Sequence, residues 1–103
     1  MLDTKSLTDA VDQFADRLRA APESRLQRAA AAEALALARE LAVRAQRIEA
    51  PQDEARQMPD AGLFAVADQV TVAGRDLALV LTDARQLDEA LELVRGAQKR
   101  AGV

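Results

Sequence analysis

The sequence predicts an all-α protein, a small antiparallel bundle of four helices over about 5–20, 22–50, 60–82 and 84–100, the last two also readable as one kinked helix. Three observations carry this. Apolar residues recur at spacings of three and four through most of the chain, the period of a helix face. Half of the residues are apolar, yet 24 of them are Ala and only Phe14 and Phe64 are aromatic. That composition suits close-packed helices, whereas a sandwich or barrel draws on Val, Ile, Thr and aromatics. Finally, Pro22 and Pro51 bracket a long stretch of strong helix formers with no Gly inside it. At 103 residues the chain forms one domain, 1–103, with its principal loop at 51–59.

The first helix, about 5–20, has two candidate starts. Ser6, Leu7, Thr8 and Asp9 have the form of a capping box, and Thr4 is the alternative N-cap. Leu7, Val11, Phe14 and Leu18 form its core stripe. Asp9, Asp12 and Asp16 line the opposite side. Three carboxylates in a row raise the question of a metal, but a helix face offers a hard cation too few oxygens, set too far apart. Acids near a helix N-terminus are favoured by its dipole, and no metal site is assigned.

The stretch between the prolines is the central element. Turned at about 100° per residue, Leu37, Ala30, Ile48, Leu41, Ala34, Ala45, Ala38, Ala31, Ala42 and Leu35 fall in one arc of roughly 160°. Two neighbours fit on an arc that wide. Ala31, Ala38 and Ala42 form its small-residue flank, where a second helix comes close. Arg25, Arg28, Glu33, Arg39, Glu40, Gln46 and Arg47 fill the solvated side, with Arg44 at the boundary and Glu40 placed to pair with it.

Residues 51–61 carry two prolines and no apolar period, so they reverse the chain. Asp53, Glu54, Arg56 and Gln57 are their exposed candidates for a partner epitope, against the plainer reading as a connector. The third helix carries Leu63, Val66, Ala67, Val70, Ala73, Gly74, Leu77, Val80 and Leu81 on one wide arc. A Gly in mid-arc implies a close crossing, expected against the Ala flank of the central helix. The same stretch, at 69–82, alternates around a Gly and competes as a β-hairpin, although no other strand is available to support one. Continuing the helical phase past Leu81 turns Arg85 toward the core, so a break is expected there, with Asp83 as the new N-cap and Gln86 three residues on. Leu87, Ala90, Leu91, Val94, Ala97 and Ala101 give the last stripe.

Composition excludes much chemistry. There is no His and no Cys, and no nucleophile elbow, phosphate loop or dinucleotide fingerprint. No enzyme, cofactor or metal is therefore expected. Net charge is −3 and neither half of the chain is basic, which argues against nucleic acid. The densest basic group, Arg17, Arg19, Arg25 and Arg28, is offset by Asp16 and Glu23. The most apolar window, Leu63 to Leu81, contains Asp68, Arg75 and Asp76, which argues against a membrane span. A start rich in acids, with no apolar leader, and the lack of Cys suit the cytoplasm.

What remains is an interaction module. Phe64, Val72 and Leu79 point away from the buried arc of the third helix and share a face with Asp68 and Arg75. Either the first and fourth helices cover this stripe within one chain, or it joins two chains as a homodimer or meets another protein partner, with Asp68 and Arg75 pairing across the axis. The alternative is a small-molecule or regulatory ligand held in a gap between Ala-lined helices, which requires convergent polar groups in a pocket.

Overall fold

The computed structural model describes residues 2–103, and 77% of the chain is helical, with no strand among the described residues. Residues 69–82 are therefore not a hairpin. Helix α1 spans Lys5–Ala20. Its start is at Thr4 rather than at the Ser6 box, because the Asp3 carboxylate already accepts the Lys5 N–H at 2.9 Å. Pro22 is the N-cap of a long rod built from α2 (Glu23–Arg25), a π-helical turn (Leu26–Ala30) and α3 (Ala31–Glu49).

The wide turn is closed by the Ala31 N–H donating to the Leu26 carbonyl five residues back. It holds one residue more than an α-helical turn and so rotates everything before it by about 100° relative to α3. In a regular helix Leu26 falls at one edge of the apolar arc. The rotation brings it to the middle, where it is buried. The rod accounts for the longest dimension of the molecule, 39 Å.

The loop runs further than predicted. The third helix does not start near residue 60: Leu63–Ala65 form a 3₁₀ turn, and α4 is Val66–Val80. Gly62 sets this boundary with a φ of 94°, a conformation that residues with a Cβ rarely adopt, and its N–H donates to Asp60 Oδ1 at 2.9 Å. The preceding chain is held extended from the side. Gln46 forms two bonds to the backbone of Arg56, Arg39 donates to the Met58 carbonyl at 2.8 Å, and Gln69 donates to the Pro59 carbonyl at 2.8 Å.

The last two helices are separate. Leu81 has ψ 137° and Asp83 is extended, so the chain turns between α4 and α5 (Ala84–Ala101). Asp83 caps α5 by accepting the Gln86 N–H at 2.8 Å, while the Gln86 side chain accepts from the N–H and hydroxyl of Thr82. Restarting the helix here leaves the Arg85 side chain 88% exposed, not turned toward the core.

In cross-section the helices form a square. α4 packs against α1 and α3, and α5 packs against the same two from the other side. α1 and α3 occupy one diagonal, α4 and α5 the other. Leu7, Val11, Phe14 and Leu18 of α1 meet Leu37 and Leu41 of α3, Val70 and Leu77 of α4 and Val94 of α5 in one aliphatic core. Gly74 is the point of closest approach, but its neighbour is α1 and not the Ala flank of α3: a Cβ placed on it would lie 2.6 Å and 2.7 Å from the two methyl groups of Val11. The expected partner was wrong because the helical phase identifies the inward face without saying which of two neighbours lies on it.

Candidate functional site

The first and fourth helices do not cover the outward stripe of α4. α1 and α3 flank it, α5 lies on the far corner, and Phe64, Val72 and Leu79 remain 79%, 55% and 84% exposed. No other large hydrophobic side chain among the described residues is exposed. On α4, Val72 and Leu79 fall within about 20° of each other, and Phe64 stands in the 3₁₀ turn that leads into the helix, so the exposed apolar side chains are confined to one stretch, 64–79, rather than scattered. It runs roughly 22 Å from Phe64 to Leu79.

Asp68 and Arg75 lie on this strip and are already engaged within the chain. Asp68 Oδ1 accepts from Arg19 at 2.7 Å, and Arg75 reaches Asp12 at 3.5 Å. The hydrogen bond to Asp68, with its charge, raises the Arg19 pKa. The result is an apolar strip bordered by two ion pairs to α1. Of the acid row on α1, Asp9 faces Lys5 at 2.7 Å, Asp12 faces Arg75 and Asp16 faces Arg19 at 3.4 Å. Among the described residues no three acids gather as metal ligands.

A second feature escaped the sequence reading. Between α3 and α5 lies a cleft of about 440 Å³ whose apolar floor is Ile48, Leu77 and Leu81 and whose rim is charged. Arg44 donates to Glu40 and to Glu89, both at 3.0 Å, and Arg85 donates to Glu89 at 3.1 Å. Partial burial works against the Arg44 charge, but its two carboxylate partners outweigh this and raise its pKa; the same bonds from Arg44 and Arg85 hold Glu89 below its ordinary value. The pair Glu40–Arg44 was legible as an i, i+4 spacing. Glu89 was not, since it comes from a helix forty-five residues away. Its one local sign is the i, i+4 spacing from Arg85.

The Ala-lined gap is a different place. It is an open groove of about 470 Å³ between Ala31, Ala32, Leu35 and Ala36 on α3 and Gly62, Leu63 and Val66. Its Arg39 and Asp60 are spent on the loop backbone. The polar groups that a ligand would require therefore do not converge on the Ala-lined gap but on the α3–α5 cleft. In the exposed basic corner, Arg25 donates to the Gly102 carbonyl at 2.8 Å and fastens the end of α5. No described helix is long and apolar enough to cross a membrane. Comparison with protein-family models, curated proteins and solved structures finds no match to the chain.

Proposed function

We propose that this protein is a non-catalytic helical interaction module that associates with itself through the outward face of α4 and works in the cytoplasm. The observation that carries the reading is the strip of Phe64, Val72 and Leu79, left uncovered on a bundle whose other large apolar side chains, among the described residues, are buried or half-buried. Uncovered apolar surface of this kind marks an interaction site. A second copy suits it because the strip carries both an acid and a base, so one face can complement itself. The test is light scattering across a concentration series, with Phe64→Asp and Leu79→Asp as variants. Both positions face solvent, so the variants should keep their helical signal and lose association. A wild type that stays monomeric at high micromolar concentration rejects the reading.

The α3–α5 cleft supports a second reading, a small-molecule or regulatory ligand seated on Ile48, Leu77 and Leu81. It ranks below the first because Arg44, Glu40, Arg85 and Glu89 answer one another's charge, and a ligand would have to displace those bonds.

A further inference from the structure

Phe64 and Leu79 lie at equal distances in sequence on either side of the Thr71–Val72 bond, and so do Asp68 and Arg75. Along α4, Leu79 sits roughly 11 Å from that point and the inner pair about 5 Å from it, with Phe64 just beyond the N-terminal end of the helix on the other side. Around α4, Asp68, Arg75 and Leu79 lie within about 30° of the direction facing outward there, and Phe64 stands exposed in the 3₁₀ turn that leads into the helix. The face is thus symmetric in position and complementary in character, acid against base and aromatic against aliphatic.

We propose that α4 meets α4 of a second copy in antiparallel register, about a two-fold axis passing beside Thr71 and Val72, so that Phe64 packs on the partner's Leu79 and Asp68 pairs with the partner's Arg75. This rests on the self-association reading above and adds its register. A parallel arrangement would set Asp68 against its own copy and Arg75 against its own, which like charges oppose. The ion pairs within each chain fit the antiparallel arrangement. Asp68 binds Arg19 through Oδ1 and leaves its other oxygen free, and Arg75 binds Asp12 through one nitrogen and leaves its remaining N–H groups free. Each half of the interface then reads Arg19, Asp68, the partner's Arg75, the partner's Asp12, alternating in sign along the row. With Asp16 also on Arg19 at 3.4 Å, the patch holds three acids, Asp12, Asp16 and Asp68, against two bases, Arg19 and Arg75, so most of the charge that two copies bring together there is compensated.

The strip is small. A helix face roughly 22 Å long and 10 Å wide falls well short of the ~800 Å² per partner of a standard interface, so the dimer is weak and forms in the micromolar range. Disulfide trapping reads such an association directly, since the chain has no Cys of its own and a disulfide requires Cα atoms within about 7 Å. Under mild oxidation, Phe64→Cys and Leu79→Cys chains mixed in equal amounts should cross-link to each other, Val72→Cys should cross-link to itself, and Phe64→Cys alone should stay at least ten-fold slower than the mixture. Sedimentation of the wild type accompanies the trapping. A wild-type dimer in which Phe64→Cys links to itself as fast as the mixture overturns the register and leaves self-association standing. A wild type that sediments as a monomer at high micromolar concentration overturns both.

Discussion

Two buried methyl groups decide what Gly74 does. Ala in place of Gly in a helix ordinarily gains up to ~1 kcal/mol, and sequence alone predicts that gain for Gly74→Ala, with only Gly74→Leu harmful. With Val11 standing 2.6 Å from the new Cβ the sign reverses, because overpacking a fully buried site costs ~1–3 kcal/mol. Gly74→Ala should lower the melting temperature, and Val11→Ala combined with it should recover more stability than the single effects add to. Equal melting temperatures for wild type and Gly74→Ala would remove the close contact. At Glu89 the controlling variable is pH. The folded carboxyl, held by Arg44 and Arg85, has a pKa below its ordinary 4.5, so the unfolded chain takes up the proton more readily. Its contribution is complete above about pH 5 and is lost as pH falls through the lower folded value. Thermal melts from pH 7 to pH 3 should therefore show Glu89→Gln less stable than wild type near neutrality, with the gap closing in acid.

At the scale of the element, the most informative departure from regularity is the wide turn at Leu26–Ala30. An α-helix one residue shorter would place Leu26 in the core without it. Deleting Arg28 should consequently leave a regular helix with the same buried face and a nearly unchanged melting temperature. Deleting Ala36, inside α3, rotates all that precedes it by about 100° and should unfold the bundle. Capping is the second determinant. Asp83→Ala removes an acceptor from the first turn of α5 and should cost ~1 kcal/mol, measured by denaturant melts. The Asp83 cap was legible because its partners are three residues away. So were the existence and faces of all four helices, since amphipathic period is a local signal. The late start of α4 was not, because the bonds from Arg39 and Gln69 that hold the loop extended come from outside it, and Gly62 reads as neutral until its backbone angle is known. The extra residue in the π turn leaves no mark on an arc wide enough to contain Leu26 in either phase.

For the whole molecule, the stripe of the candidate site was legible as residues that the core did not need, and the structure leaves them exposed. Their links to Arg19 and Asp12 were hidden, because they depend on which helices become neighbours. That arrangement also governs how the chain comes together. Of the three pairs of consecutive helical segments, only α3 and α4 lie side by side; α1 with α3 and α4 with α5 sit on diagonals. An up-and-down bundle grows by adding each helix to the one just made, whereas here α1 must wait for α4, and α5 must find α1 across most of the chain and α3 across about half of it. Loop closure of that length slows folding, so refolding should be slower than for an up-and-down bundle of equal size and stability. A chain ending at Leu81 should collapse onto the α3–α4 pair without melting cooperatively, because the sides of α1 and α3 that α5 covers would face water.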